Sequence, residues 1–239
     1  MAAKGPRVLV IDDEPQIRRF LRASLQSHDF DVLEAETGKE GVRQCTLQKP
    51  DLVVLDLGLP DVDGLDIIKS IREWSKVPII VLSVRSDDAD KIEALDRGAN
   101  DYVTKPFSMG ELLARMRVAL RQKPIAGEDA SVVSAGALAV DLGKRLVTIN
   151  GSPVRLSRKE YELLKILVSH PGKVITHQQL LQEVWGQGYV EETQYLRVYI
   201  GQLRQKLEKD AAAPRYLITE PGVGYRFNPI EPAAEKPPA

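Results

Sequence analysis

The chain has 239 residues, of which 43% are hydrophobic and 28% charged, and its 33 Lys and Arg nearly balance its 34 Asp and Glu. This composition argues against a disordered or fibrous chain, and the single cysteine, Cys45, excludes an internal disulfide and a multi-cysteine zinc cluster. Because no apolar run approaches the ~20 residues of a membrane span and the N-terminus lacks a signal-peptide pattern, we expect no membrane partner and a cytoplasmic location.

Strand-like and helix-like patterns alternate in the first half of the chain. Apolar runs of strand length lie at 8–11, 30–33, 51–55, 77–82 and 101–104. Helical spacing separates them, as in Ile17, Leu21 and Leu25, where Pro15 suits a first helical turn. Five strands alternating with helices predict an α/β fold, namely a doubly wound, five-stranded parallel sheet covered by helices on both faces.

The pattern changes class in the second half. Segment 124–130 lacks periodicity and is predicted to link a first domain at 1–123 to a second at 131–229. Short strands are predicted at 138–140, 146–149 and 154–156, with Asn150-Gly151 as a hairpin turn, followed by helices at 158–169, 177–185 and 192–208 and a strand–turn–strand at 216–227. The proline-rich tail at 230–239 is predicted to be disordered.

The two predicted domains differ in charge. Residues 1–123 carry 19 Lys and Arg against 21 Asp and Glu, a net charge of −2, whereas residues 131–230 carry 13 against 9, a net charge of +4. The near-zero total by itself argues against a nucleic-acid binder. It is, however, an average that hides a basic second domain.

Polar residues follow the predicted strands of the first domain. Asp12 and Asp13 follow the first strand, Asp56 the third, Ser83 the fourth and Lys105 the fifth. In an open parallel sheet these strand ends lie at one edge, where ligands bind. Three neighbouring carboxylates require a cation, and all-oxygen ligands suit Mg²⁺. The set therefore favours phosphoryl transfer, with Asp56 as nucleophile and Lys105 pairing with phosphoryl oxygens.

These residues resemble the response-regulator receiver domains, which implies a parallel sheet of the flavodoxin-like type. The resemblance rests on Asp12-Asp13, segment 55–60 (LDLGLP), Gly64, Ser83 and segment 102–107 (YVTKPF). It implies that a histidine kinase phosphorylates Asp56 and that Mg²⁺ is bound by Asp13, Asp56 and the Gly58 backbone carbonyl, with Asp12 beside them. It further implies that Ser83 and Tyr102 form a switch pair that responds to the phosphate.

The predicted helix at 192–208 has a core face and a polar face. Leu196, Ile200, Leu203 and Leu207 share the core face. Arg197 and Gln202 are among the residues outside it, and Arg and Gln suit base edges and phosphates in a major groove. Gly201 lowers the stability of the helix by about 1 kcal/mol relative to Ala. Two explanations for a glycine at this position remain open, namely close approach of a partner backbone and crowding against a neighbouring helix.

The second domain resembles a winged helix-turn-helix (α+β) output module of the OmpR/PhoB type of response regulator. The resemblance rests on segments 156–164 (LSRKEYELL), 179–185 (QLLQEVW), 198–207 (VYIGQLRQKL) and 219–227 (TEPGVGYRF). It makes 192–208 the recognition helix and 216–227 the wing, both on double-stranded DNA. It implies phosphate contacts by Trp185, Thr193, Arg204 and Tyr225, and base contacts by Arg197, Val198 and Gln202.

The same resemblance implies a homodimer formed on phosphorylation. Lys91 with Glu111, and Asp101 with Arg115, match the intermolecular ion pairs of the family, while Asn100 stands where many relatives carry an acid, so part of that network is expected to be weaker. Segments 57–61 (LGLPD) and 195–201 (YLRVYIG) resemble regulators of a potassium-transport operon.

Other functions remain as alternatives. These are an OmpR/PhoB-type regulator of another set of genes, and a phosphoaspartate switch with a protein-binding output. A phosphohydrolase needs a general acid two residues after the nucleophile, where Gly58 stands, and no Gly-x-Gly-x-x-Gly follows the first strand for a dinucleotide. We therefore expect a regulator and not an enzyme.

Overall fold

A computed structural model describes residues 5–121, 132–189 and 191–229. The chain divides into two compact units, Met1–Arg121 and Gln122–Ala239. The predicted linker at 124–130 and tail at 230–239 lie outside the described residues. None of the helices in the described ranges is long and apolar enough to cross a membrane.

The first unit contains a five-stranded, fully parallel sheet. Its strands are β1 (Arg7–Ile11), β2 (Asp31–Ala35), β3 (Leu52–Leu55), β4 (Ile79–Ser83) and β5 (Asp101–Thr104). Their order is β2-β1-β3-β4-β5, which places β3 in the centre. Strands β3 and β4 are buried along their whole length, as expected of a sheet covered on both faces.

Five helices cover this sheet. They are α1 (Pro15–Gln26), α2 (Gly38–Gln48), α3 (Gly64–Arg72), α4 (Asp88–Asp96) and α5 (Met109–Arg121). Leu21 of α1 and Met116 of α5 pack on one face of the strands. On α2, a Cβ built on Gly41 would lie 2.4 Å from the Cδ1 of Ile11, so only glycine lets this helix approach β1 so closely. Cys45 of α2 is buried, and burial raises the pKa of its thiol to about 11.

The second unit contains two small antiparallel sheets. The strands are β6 (Val132–Ala135), β7 (Leu138–Asp141), β8 (Leu146–Ile149), β9 (Ser152–Pro153), β10 (Val174–Thr176), β11 (Leu217–Glu220) and β12 (Gly224–Phe227). One sheet has the order β6-β7-β8-β9 and the other β10-β12-β11. The wing is therefore the β11–β12 hairpin, held on its other side by β10.

Three helices share one hydrophobic core with these sheets. They are α6 (Arg158–Ser169), α7 (His177–Trp185) and α8 (Thr193–Leu207), with a short 3₁₀ turn at Gln187–Tyr189. The Ser157 and Thr176 side chains cap α6 and α7 in reciprocal capping boxes. The predicted core face of α8 is confirmed, because Leu196, Ile200 and Leu203 are at most 1% exposed.

The predicted fold class is confirmed, with local errors. The strand predicted at 154–156 is wrong, because β9 lies earlier. Asn150 (φ 49°) and Gly151 (φ 78°) complete the turn in two residues, so Ile149 already pairs with Ser152. Strands β6 and β10 were not predicted, and the strand predicted at 30–33 begins and ends later, as β2.

Candidate functional site

Three aspartates come together at the carboxyl edge of the parallel sheet. Asp12 and Asp13 follow β1, Asp56 follows β3, and one carboxylate oxygen from each lies within 4.8 Å of the others. Asp12 and Asp56 are buried, at 1% and 6% exposure. Mutually close oxygen donors with no nitrogen or sulfur among them fit a hard cation such as Mg²⁺.

Lys105 supplies the positive charge opposite these carboxylates. Its Nζ lies 2.7 Å from Asp56 Oδ2, 2.9 Å from Asp12 Oδ2 and 3.0 Å from Glu14 Oε1. We call Asp12, Asp13, Asp56 and Lys105 the acidic pocket. Asp56 is fixed on its second oxygen too, because Oδ1 accepts a hydrogen bond from the Gly58 backbone N–H at 3.1 Å.

Opposing effects set the protonation of this pocket. Burial on its own lowers the pKa of Lys105, but hydrogen bonds to Asp56, Asp12 and Glu14 outweigh it and raise the pKa above its ordinary value. Burial raises the pKa of Asp12, against the lowering effect of Lys105. The lysine therefore stays charged. Burial makes the ionised form of the Asp12 carboxylate less stable, and a bound cation would offset this effect.

The two predicted switch residues meet at one peptide segment. Ser83 Oγ accepts a hydrogen bond from the Arg85 N–H at 3.3 Å, and the Tyr102 hydroxyl donates to the Arg85 carbonyl oxygen at 2.7 Å. Ser83 is 1% exposed and Tyr102 is 8% exposed. The backbone of Arg85, just after β4, thus connects both side chains.

The face of α8 opposite the core is open to solvent. Arg197, Val198 and Gln202 are exposed, and Val198 is 57% exposed despite its apolar side chain. Thr193 lies at the first position of the helix and is half-buried. A Cβ built on Gly201 would meet nothing within 4 Å, so crowding by a neighbouring helix does not explain this glycine.

Trp185 belongs to an aromatic contact at the end of α7. Its ring lies 5.3 Å from that of Tyr199 on α8. Lys159 stands 5.1 Å from the Trp185 ring centroid and donates to the Val184 carbonyl oxygen. These contacts hold the indole in place between α6 and α8.

Arg204 and Tyr225 join α8 to the wing. Arg204 donates to the Leu217 carbonyl oxygen and to Thr219 Oγ1, and its guanidinium carbon lies 6.0 Å from the Tyr225 ring centroid. Tyr225 is only 4% exposed, with His177 edge-on against it at 5.5 Å. A DNA phosphate could therefore reach only the small exposed part of the Tyr225 side chain.

The four residues expected at a dimer interface are engaged within the chain. Arg115 Nη1 lies 2.9 Å from Asp101 Oδ2, and Arg115 Nη2 lies 2.8 Å from Glu111 Oε1. Lys91 pairs with Asp88 at 3.4 Å.

Sequence reasoning missed two residues at the acidic pocket. Glu14 contacts Lys105, and Arg18 donates to the Asp12 carbonyl oxygen at 2.7 Å from a side chain that is 8% exposed. Glu14 directly follows the aspartate pair, which was a usable signal. Arg18 had none, because an arginine in an amphipathic helix normally faces solvent.

Comparison with known proteins accounts for both units. The family described as "Response regulator receiver domain" matches residues 8–117, and "Transcriptional regulatory protein, C terminal" matches residues 151–227. The KDP operon transcriptional regulatory protein KdpE of Escherichia coli is 50% identical over 92% of this chain and 98% of its own. The chain belongs to the response-regulator family, in which a receiver domain is joined to a transcriptional regulatory domain.

Other members of the response-regulator family match over the same extent. Transcriptional regulatory protein KdpE of Mycobacterium tuberculosis is 48% identical, over 92% of this chain and 98% of its own. The structure of the response regulator DrrB of Thermotoga maritima, an OmpR/PhoB homolog, is 32% identical over 93% and 98%, with a TM-score of 0.48. The two family models and the relatives named as transcriptional regulators confirm the response-regulator resemblance and the prediction of a regulator and not an enzyme.

Proposed function

We propose that Asp56 accepts a phosphoryl group from a histidine kinase and that this event controls DNA binding by the second unit. The observation that carries the proposal is the cluster of Asp12, Asp13 and Asp56 carboxylates facing Lys105, in a chain that also has a transcriptional regulatory domain. The cluster is supported as a Mg²⁺ site by its all-oxygen donors, with the Gly58 carbonyl as a further ligand.

In the transfer, an Asp56 carboxylate oxygen attacks the phosphorus of a phosphohistidine. The new O–P bond forms as the P–N bond breaks, and the leaving imidazole nitrogen keeps the electron pair. Mg²⁺ bound by Asp12, Asp13 and Asp56 would offset the negative charge of the phosphoryl oxygens. Lys105 exchanges its contact with Asp56 Oδ2 for one with a phosphoryl oxygen, and its raised pKa keeps it cationic throughout.

The contacts of Arg85 support Ser83 and Tyr102 as the switch. When the Ser83 hydroxyl turns to a phosphoryl oxygen, it leaves the Arg85 N–H, and the loop after β4 is released on one side. Tyr102 holds the carbonyl of the same residue and follows the movement. Phosphorylation thereby shifts an existing equilibrium between two loop arrangements.

Labelling with radioactive acetyl phosphate and Mg²⁺ tests the phosphoacceptor. Asp56→Asn is expected to abolish incorporation, because the amide is not a nucleophile. The matched control is Asp66→Asn, which changes an exposed aspartate of α3 paired with Arg97 at 3.0 Å and should label as the unchanged chain does. Full labelling of Asp56→Asn would exclude this residue.

For DNA binding, α8 is proposed as the recognition helix in the major groove. Its exposed Arg197, Val198 and Gln202 are proposed to contact base edges. Phosphate contacts are proposed for Trp185, Thr193, Arg204 and Tyr225. A gel shift with and without acetyl phosphate separates this function from a protein-binding output, which would give no shifted DNA under either condition.

The controlled genes are proposed to be a potassium-transport operon. The support is the identity of 50% to a relative named as transcriptional regulator of the KDP operon. Genome-wide capture of DNA bound by the phosphorylated chain is expected to enrich the promoter of such an operon. Enrichment only at unrelated promoters would favour the alternative, a regulator of another gene set.

A homodimer of phosphorylated chains is proposed through Lys91, Asp101, Glu111 and Arg115. These side chains are already paired within the chain, so dimerisation exchanges partners and does not neutralise free charges. Lys91→Glu is expected to reduce the dimer fraction in light scattering with acetyl phosphate, and addition of Glu111→Lys to restore it. Failure of the double variant to restore dimers would contradict the Lys91–Glu111 contact.

A further inference from the structure

Arg18 is a buried arginine directly behind the acidic pocket. It lies in the first turns of α1 and is 7% exposed. Its Nη1 donates to the backbone carbonyl oxygen of Asp12 at 2.7 Å, and its Nη2 pairs with the Glu36 carboxylate. The guanidinium thus connects the exit of β1 to the segment after β2.

The bond from Arg18 is one of four that hold Asp12. The Asp12 N–H donates to the Ala35 carbonyl oxygen at 3.2 Å, and Oδ1 accepts from the Glu14 N–H at 2.9 Å. Oδ2 accepts from Lys105 at 2.9 Å. The carbonyl oxygen is held by Arg18, so every polar group of Asp12 has a fixed direction.

The Asp12 carbonyl belongs to the peptide plane that leads into Asp13. Within residues 5–121 the structure gives no hydrogen bond or ion pair to the Asp13 carboxylate. The orientation of that peptide plane therefore helps to place the Asp13 Cα, from which the carboxylate projects toward those of Asp12 and Asp56. A planar, permanently charged donor fixes such a plane better than a neutral side chain does.

We propose that Arg18 is a positioning residue of the cation site, which holds the Asp12–Asp13 peptide so that the Asp13 carboxylate meets those of Asp12 and Asp56. This inference rests on the proposed Mg²⁺ site. It adds a residue that does not touch the cation but affects how tightly the cation binds, as the hydrogen-bond partners of metal ligands do.

A second arginine of α1 provides a matched comparison. Arg22 lies one turn further along and pairs with Glu34 at 2.8 Å, as Arg18 pairs with Glu36. Its side chain is 46% exposed against 8% for Arg18, and its ion pair is with a residue of β2, whereas Arg18 also donates a hydrogen bond to the Asp12 carbonyl oxygen. Arg22→Gln therefore controls for the loss of an arginine–glutamate ion pair on α1, and the larger loss of stability expected at buried Arg18 is measured separately by unfolding.

The test is Mn²⁺ binding to the full chain, followed by the paramagnetic resonance signal of the free ion, with Mg²⁺ as competitor. Arg18→Gln is expected to weaken binding by about tenfold, whereas Glu36→Gln and Arg22→Gln stay within about twofold. Arg18→Lys keeps the positive charge and one donor nitrogen, and we expect it to bind Mn²⁺ more tightly than Arg18→Gln but less tightly than the unchanged chain. Thermal unfolding without metal confirms that each variant is folded.

The outcomes separate the two proposals. If the unchanged chain binds neither ion, the proposed cation site is wrong. If it binds and Arg18→Gln binds equally well, or Arg22→Gln loses as much, the positioning role alone is overturned. If Arg18→Gln fails to fold, the Mn²⁺ affinity of Arg18→Lys provides the test. An affinity equal to that of the unchanged chain would overturn the positioning role, because lysine cannot make the forked contact of the guanidinium.

Discussion

The Arg204 guanidinium donates two hydrogen bonds to the Leu217 carbonyl oxygen, from Nε at 3.0 Å and from Nη2 at 2.6 Å. The same Nη2 reaches Thr219 Oγ1 at 2.7 Å. Arg204 on α8 and the first strand of the wing are thereby fixed to one another. This one side chain therefore links the helix and the hairpin that are proposed to contact DNA.

Substitution of Arg204 distinguishes a phosphate contact from a purely structural role. Arg204→Ala is expected to weaken binding to every DNA sequence and to lower the slope of log K against log salt by about 0.9, since one phosphate contact is lost. Arg204→Lys keeps the charge but not the fork and should retain the slope. Fluorescence anisotropy over a salt series measures both. If the slope is unchanged in the alanine variant, Arg204 only holds the wing and does not contact a DNA phosphate.

Removal of the Tyr102 hydroxyl tests the connection through Arg85. Tyr102→Phe loses the 2.7 Å hydrogen bond to the Arg85 carbonyl oxygen but leaves Asp56 and Lys105 in place. Incorporation of phosphate is therefore expected to stay normal, while the gain in DNA affinity on phosphorylation falls by about fivefold, or about 1 kcal/mol. The ratio of dissociation constants with and without acetyl phosphate reports this gain. If the ratio for Tyr102→Phe equals that of the unchanged chain, Tyr102 is not part of the switch.

The ion pair between Glu160 and Lys206 predicts a pH dependence of the second unit. Lys206 Nζ lies 2.7 and 2.8 Å from the two Glu160 oxygens. Burial raises the pKa of Glu160, but hydrogen bonds from Lys206 and Ser157 outweigh it and lower the pKa below its ordinary value of 4.5. Ionised Glu160 therefore stabilises the unit fully above pH 4.5, and the contribution is lost as pH falls through the folded-state pKa.

Glu160→Gln is expected to cost about 1–2 kcal/mol at pH 7 and to flatten the loss of stability in acid. Urea unfolding followed by tryptophan fluorescence measures this loss of stability. All variants carry Trp74→Phe, so that Trp185 of the second unit is the remaining tryptophan. The control is Glu162→Gln on the same helix, whose more exposed pair with Arg145 at 2.8 Å should contribute less than about 0.5 kcal/mol. Equal effects of the two variants would contradict a special role for Glu160.

Gly201 is predicted to lower the stability of α8 and to allow this helix to approach DNA closely. Because an added Cβ meets nothing within 4 Å, Gly201→Ala is expected to raise the free energy of unfolding by about 1 kcal/mol. The same methyl group would separate α8 from a partner backbone and weaken DNA binding by roughly tenfold, or about 1.4 kcal/mol. Unfolding and anisotropy on one preparation give both values. A more stable variant with unchanged affinity would rule out close approach.

Patterns of periodicity predicted the parallel sheet and the convergence of Asp12, Asp56 and Lys105, because strand ends in such a sheet share one edge. The short strand β10 could not be predicted, since three residues carry no clear period and its partner β12 lies about 50 residues further along the chain. Arg18 could not be placed either, because its burial depends on the Asp12 carbonyl and Glu36, which helical spacing does not reveal.

Two polar residues do more in the structure than their local sequence suggests. Asp61 accepts hydrogen bonds from the N–H groups of Gly38 and Lys39, and so ties the loop after β3 to the start of α2. Asn100 Oδ1 accepts from Arg72 Nη2 and from the Ile79 N–H, both at 3.0 Å. Contacts between residues more than 20 positions apart decide these roles, and only the folded chain brings them together.

The burial of Cys45 makes this protein a convenient host for site-specific dyes. Its thiol is 2% exposed and its pKa is raised to about 11, so at neutral pH it offers a maleimide neither a thiolate nor access. A cysteine introduced at exposed Lys209, just after α8, would be labelled selectively with the native cysteine still in place. Fluorescence from that single dye can then follow α8 as DNA binds, in a chain that carries one substitution.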